Sequence, residues 1–156
     1  MSVHHAVWPK RLPHSLTVPQ TSLWMNLQVS AMRYPQKLAL VFMGQTWTYA
    51  QLHEAAERVA SSLRQMGVQK GDRVVLNMQN CPQLVITHFA ILRLDAVVVP
   101  VNPMNRMEEL KHYILDPDAK ALLAAANSSA RSAVVTATLA SGSKCNASTL
   151  PCGSWD

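Results

Sequence analysis

Residues 48–77 read TYAQLHEAAERVASSLRQMGVQKGDRVVLN and decide the fold class, because a helix, a turn and a strand follow one another directly. Thr48 and Gln51 have the spacing of a capping box at a helix start. Apolar residues then recur on one helix face, opposite a polar face: Leu52, Ala55, Ala56, Val59, Ala60, Leu63 and Met66. Gly67 is typical of the left-handed residue after a helix end. The residues from 73 to 78 predict a buried strand.

Upstream of this stretch, the sequence predicts an extended arm, a short helix and a β-hairpin. The helix runs from about residue 22 to residue 33, and Pro35 ends it. The apolar run 38–43 predicts a strand, and Gly44-Gln45 is a candidate two-residue hairpin turn. Thr46-Trp47-Thr48 would form the returning strand.

Downstream, two more helices alternate with two more strands. Asn80 is a candidate cap for an apolar helix that tolerates Pro82 in its first turn. The valine-rich run 96–101 predicts a strand covered on both faces by helices. Asn105 with Glu108 predicts the next helix start, and residues 119–123 predict the last strand.

This order predicts an α/β doubly wound, mostly parallel sheet with flanking helices. Residues 1–21 form the expected arm, residues 22–123 the α/β subdomain, and residues 124–156 a low-charge tail rich in Ala, Ser and Thr. Val134 and Val135 hint at a strand in that tail, but its composition suggests a poorly ordered segment.

Composition excludes several classes of protein. With 156 residues, 49% of them hydrophobic, the chain is long enough to bury a core and is not mainly disordered. No apolar stretch approaches the roughly 20 residues that cross a bilayer. The net charge is +5, but Lys and Arg are scattered, which argues against nucleic-acid binding. Cys81, Cys145 and Cys152 are an odd set, typical of reduced thiols, and the predicted location is cytoplasmic.

No catalytic, cofactor-binding or metal-binding residues are predicted. Gly67 and Gly71 are better explained as turn residues than as a phosphate loop, and Ser141-Gly142-Ser143-Lys144 lacks the strand and second glycine of one. The histidines show no metal spacing: His4, His5, His14, His53, His88 and His112. Glu108-Glu109 is interpreted as first-turn charge, and Cys81 as a small buried residue.

Three segments, in order, resemble the amino-terminal part of AMP-forming acyl-CoA synthetases. They are residues 46–52 (TWTYAQL), 67–74 (GVQKGDRV) and 96–103 (AVVVPVNP), and residues 8–16 and 104–113 resemble the long-chain fatty-acid:CoA ligase branch. The likeness runs from about residue 7 to residue 123. It implies a family that uses ATP, Mg²⁺ and CoA to make an acyl-adenylate and then a thioester.

The resemblance implies no site residue in this chain, because the family's phosphate loop, acyl pocket, ribose-binding Asp and catalytic Lys come later in a longer chain. Asp95 stands where that family usually has Gly. The tail after Leu123 shows no likeness, which suggests a shifted reading frame or an aberrant end.

The expected function is therefore that of a ligase fragment with little activity and no cofactor of its own. The alternative is a non-catalytic module that docks on a full-length synthetase, or on itself, through an exposed sheet edge.

Overall fold

The computed structural model describes residues 7–15, 17–125, 134–140 and 143–149. These residues form four helices and seven strands, and the α/β class is confirmed. In chain order the elements are α1 (Leu23–Arg33), β1 (Leu38–Phe42), β2 (Gln45–Thr48), α2 (Tyr49–Gln65), β3 (Arg73–Asn77), α3 (Pro82–Arg93), β4 (Val97–Val101), α4 (Met107–Leu115), β5 (Ala121–Ala125), β6 (Val134–Ala140) and β7 (Ser143–Thr149). Within the described residues, no helix is long and apolar enough to cross a membrane.

The main sheet has five strands in the order β4-β3-β5-β6-β7. β3 pairs in parallel with both β4 and β5, as predicted, whereas β6 and β7 continue the sheet in antiparallel pairing. The composition of the tail predicts no element apart from the hint at Val134 and Val135, and both residues lie in β6. The division into arm, subdomain and tail stays a prediction.

The two faces of the sheet are covered by different helices. On the α2/α3 face, strand residues such as Val74, Leu76 and Leu123 pack among residues of α2 and α3. On the α4 face, Val75 and Val101 pack against α4. Because side chains alternate along a strand, each strand contributes to both faces.

Strand β4 differs from its prediction. It lies at one edge of the sheet, and Val97 on the α4 face is 48% exposed, so the expectation of full cover on both faces is wrong. Pro100 within the run was a sign of this, because proline is tolerated at the edge of a sheet and not at its centre.

A further layer lies over α2 and α3. Trp24 and Leu27 of α1 are buried in a cluster with Leu52 of α2 and Ile86 of α3. The β1–β2 hairpin packs against the same cluster through half-buried residues that include Trp47. The order of layers is therefore α1 and hairpin, α2 and α3, sheet, α4.

Both predicted ends of α2 are confirmed. The Gln51 backbone N–H donates to Thr48 Oγ1 at 3.3 Å, and the Thr48 N–H donates to Gln51 Oε1 at 2.9 Å. At the other end Gly67 has φ +87°, and the Val68 N–H donates to the Leu63 carbonyl at 3.1 Å. That pair of features defines a Schellman motif, and it turns the chain from α2 towards β3.

Three local predictions are wrong by one residue. The hairpin turn is Met43-Gly44 rather than Gly44-Gln45, and both residues have positive φ (47° and 82°), as a type I′ turn requires. The cap of α3 is Cys81 rather than Asn80, because the residue before Pro82 is driven into an extended conformation.

The start of α4 is shifted in the same way. Its cap is Arg106 instead of Asn105, and the carboxylate that accepts from the Arg106 N–H, at 2.9 Å, belongs to Glu109 and not Glu108. The backbone bond from Leu110 N–H to the Arg106 carbonyl, at 3.0 Å, fixes this register.

Candidate functional site

The candidate site lies at the carboxyl ends of β3 and β4. Ligands of open α/β sheets bind outside the carboxyl ends of strands, where neighbouring connections leave towards opposite faces. β3 leads through residues 78–81 into α3, and β4 leads through residues 102–106 into α4. Because α3 and α4 cover different faces, these two connections diverge, which is the arrangement that forms such a crevice in open α/β sheets.

Asparagine side chains dominate this end of the sheet. Asn77 ends β3, and its Oδ1 is buried without a hydrogen-bond partner. Asn102 follows β4, and its Oδ1 accepts from the Met104 N–H at 2.9 Å. Asn80 and Asn105 lie in the two connections. Asparagine near both strand ends was visible in the sequence, but Asn80 and Asn105 were interpreted only as caps. Asn77 was assigned to the strand, and Asn102 was given no role of its own.

These residues do not fit a nucleoside triphosphate. The connections 78–81 and 102–106 contain no glycine, and Arg106 is their single cation. A triphosphate needs several converging backbone N–H groups and positive charges. The crevice therefore offers amide groups and one guanidinium, which is too little positive charge for a step of a phosphoryl reaction.

The glycines that could suggest a phosphate loop lie at the opposite end of the sheet. Gly67 and Gly71, at φ +87° and +85°, form the connection that enters β3 at its amino end. The Gly71 N–H donates to the Asp95 carbonyl at 3.0 Å. Both therefore serve as turn residues. Of the Ser-Gly-Ser-Lys segment, Ser141 and Gly142 lie outside the described residues.

The described histidines contact aromatic rings and not one another. The rings of His53 and Trp24 lie 4.9 Å apart at 32°, and His88 and His112 each lie beside the aromatic residue that follows them. Among the residues that the structure describes, no three His, Cys, Asp or Glu side chains come close enough to hold a metal ion. His4 and His5 lie outside those residues, and the expectation that the chain has no catalytic, cofactor or metal residue stays a prediction.

Cys81 lies in a feature that the sequence does not reveal. The hairpin and the start of α3 enclose a shallow groove of about 280 Å³, lined by Leu40, Val41, Phe42, Asn80, Cys81, Pro82, Leu84 and Val85. Cys81 is free and only half-buried there, so the interpretation as a small buried residue is wrong in its burial. The lining comes from two segments about 40 residues apart, so no local pattern could predict it.

Comparison with known proteins decides the family. The model of the family described as "AMP-binding enzyme" matches residues 27–151. The chain belongs to this family. Its match as an AMP-binding enzyme extends beyond Leu123 into the tail, where the sequence analysis found no likeness.

Long-chain-fatty-acid–CoA ligases are among the relatives of this chain. It is 35% identical over 118 residues to that of Bacillus subtilis (strain 168), covering 76% of this chain and 21% of the relative. It is 36% identical over 127 residues to that of Yersinia pestis, covering 78% and 23%. The chain thus spans about a fifth of the length of these curated relatives.

A solved structure shows the same fold. The N-terminal domain of FACL13 from Mycobacterium tuberculosis superimposes with a TM-score of 0.66 at 29% identity, covering 70% of this chain and 29% of that domain. The resemblance to the amino-terminal part of adenylate-forming enzymes is confirmed.

Asp95, where the resemblance implies Gly, has an unusual backbone conformation. Asp95 adopts φ +56°, a left-handed conformation that glycine adopts without strain. Its Oδ2 lies 3.6 Å from Lys70 Nζ, with both side chains mostly exposed. The position thus has the backbone geometry that glycine suits, although the residue is aspartate.

Proposed function

We propose that this chain supplies the amino-terminal supporting elements of a ligase that activates a fatty acid with ATP and transfers the acyl group to CoA. The carboxylate displaces pyrophosphate to give an acyl-adenylate, and the CoA thiol then displaces AMP to give the thioester. The observation that carries the proposal is the family match over residues 27–151, together with the long-chain-fatty-acid–CoA ligases among its relatives. Mg²⁺ and CoA belong to the proposal, as does a cytoplasmic location.

The chain by itself is proposed to be inactive and to need no cofactor. The composition of the crevice at β3 and β4 supports this, because its neutral carboxamides cannot compensate the charge of a triphosphate. The glycines Gly67 and Gly71 lie at the wrong end of the sheet for that task. The role left to the described residues is to hold the sheet and its connections in place.

The test is AMP formation by the purified chain with ATP, Mg²⁺, CoA and a long-chain fatty acid. The Bacillus subtilis ligase under the same conditions serves as the positive control. We expect the chain to give no more AMP than a sample without the acid. Acid-dependent AMP formation by this chain would overturn the proposed inactivity, while leaving its family unchanged.

Docking on a full-length synthetase, or self-association through the sheet edge, stays a second prediction. Sizing of the purified chain over a range of concentrations tests self-association, and a concentration-independent monomer would contradict it. No binding to nucleic acid is expected, and the absence of retention on immobilised DNA at low salt checks that expectation.

A further inference from the structure

The free edge of β4 carries a feature that bears on how this chain can associate. In the described part of the chain, β4 is a terminal strand of the five-stranded sheet, and β3 is its neighbour on one side. A terminal strand exposes unpaired backbone groups and can therefore accept a strand from a second molecule. Val97, at the beginning of β4, is also 48% exposed.

The hydrogen bonds between β4 and β3 show which residues of β4 direct their backbone N–H and C=O groups to the free edge. The Val97 N–H donates to the Asp72 carbonyl at 2.8 Å, and β3 and β4 run in parallel register from Arg73↔Val97 to Asn77↔Val101. Backbone groups alternate in direction along a strand, so residues 97, 99 and 101 face β3. Val98 and Pro100 therefore face the free edge.

Pro100 has no backbone N–H. Of the two outward positions within β4, only Val98 can donate a hydrogen bond to an added strand. An incoming strand would meet one N–H donor where a regular ladder needs two. The carbonyl of the incoming strand that lies opposite residue 100 would lose its hydrogen bond to water without gaining a partner.

From this geometry we infer that Pro100 closes the free edge of β4 against strand addition, above all by a second copy of this chain. The backbone groups of Pro100 point to the free edge and not to β3, and the residue is exposed. The sheet therefore gains nothing from a proline here, whereas the edge loses one of its two donors. This inference is independent of the proposed ligase function. At the β4 edge it replaces the prediction of self-association made above, because it expects the unmodified chain to stay monomeric there.

The first test measures backbone protection in the unmodified chain by amide hydrogen exchange. The Val98 amide should exchange at least ten times faster than those of Val99 and Val101, which donate to β3. Equal protection of Val98 would mean that its N–H has a partner, and would overturn the inference.

The second test restores the missing donor. Pro100→Val and Pro100→Ser both add an N–H, one with an apolar and one with a polar side chain, and Pro103→Ser is the matched control outside the strand. Sedimentation over a hundredfold concentration range should show a concentration-dependent increase in mass for both variants at residue 100, and for neither the parent nor the control. In the associated variants, the amides of residues 98 and 100 should become protected.

Three outcomes would contradict the inference. An unchanged mass distribution in both variants at residue 100 would show that the missing donor is not what limits pairing. Association of Pro100→Val alone would assign the effect to an apolar side chain. Association without protection of residues 98 and 100 would place the contact elsewhere.

Discussion

The α2/α3 face and the α4 face of the sheet show how strongly burial depends on the number of helices above a strand. On the α2/α3 face, Leu63, Ile91 and Leu123 are fully buried in one cluster of twelve buried residues. On the α4 face the cluster contains three, Val75, Val101 and Ala119, and no described residue of α4 is itself buried. The same strands thus contribute to a well-packed interior on one side and to a thin layer on the other.

The difference follows from helix length and number. α2 has 17 residues and α3 has 12, whereas α4 has nine and covers its face alone. Since the hydrophobic contribution is roughly proportional to the apolar area removed from water, the α2/α3 face should supply most of the stability. Substitutions that compare the two faces test this directly.

The largest effect is expected from truncating leucines on neighbouring strands of opposite faces. Leu76 is 1% exposed on the α2/α3 face, and Leu122 is half-buried on the α4 face. Leu76→Ala should lower the free energy of unfolding by about 3 kcal/mol, since a cavity remains among fixed neighbours. Leu122→Ala should cost about 1 kcal/mol, because part of that side chain already contacts water. Urea denaturation followed by circular dichroism measures both.

Equal losses at Leu76 and Leu122 would show that the α4 face is as well packed as its opposite. Ile91→Val is a milder probe of the α2/α3 face, because it removes a single methyl group, with an expected cost of about 1 kcal/mol. Ile91 is fully buried in the same cluster as Leu76.

The sequence predicted the fold where one segment carried several agreeing signals. The capping box at Thr48 and the Schellman end at Gly67 bracket α2, and each depends on residues within five positions of one another. The caps at Cys81 and Arg106 were missed by one residue, because asparagine is a good cap in general and the neighbouring backbone decided otherwise.

Features that depend on distant segments could not be predicted in this way. The position of β4 at the sheet edge depends on where β5 pairs, although Pro100 was a usable signal. The groove beside Cys81 and the unpaired Oδ1 of Asn77 arise only when separate segments meet. The candidate site was missed because asparagines at strand ends are also common in ordinary turns.

The next largest change in the free energy of unfolding is expected from a buried polar residue on the α2/α3 face. Thr87 of α3 is 1% exposed, and its Oγ1 is buried without a hydrogen-bond partner. Thr87→Val keeps the shape and removes the unpaired hydroxyl, so it should raise the free energy of unfolding by about 1 kcal/mol.

The same substitution at Thr48 is the matched control, because Thr48 Oγ1 accepts the capping bond of α2. Thr48→Val should lower the stability by about 1 kcal/mol. If Thr87→Val is also destabilising, its hydroxyl has a partner and the α2/α3 face contains no unsatisfied group at this position.

The smallest effect compares the ends of α3 and α4, one helix from each face. Asp95 and Asp118 have φ +56° and +51°, and the residue after each donates back to the helix, Ala96 to the Ile91 carbonyl at 3.3 Å and Ala119 to the Ile114 carbonyl at 3.0 Å. Asp95→Gly and Asp118→Gly should each raise the free energy of unfolding by about 0.5 kcal/mol, because relief of left-handed strain slightly exceeds the entropy cost of glycine.

Gly67→Ala at the equivalent position after α2 should act in the opposite direction, with a loss of about 1 kcal/mol. Denaturation midpoints at equal slope measure all three. A loss with Asp95→Gly alone would mean that the contact with Lys70 outweighs the strain, and Lys70→Met would then produce the same loss.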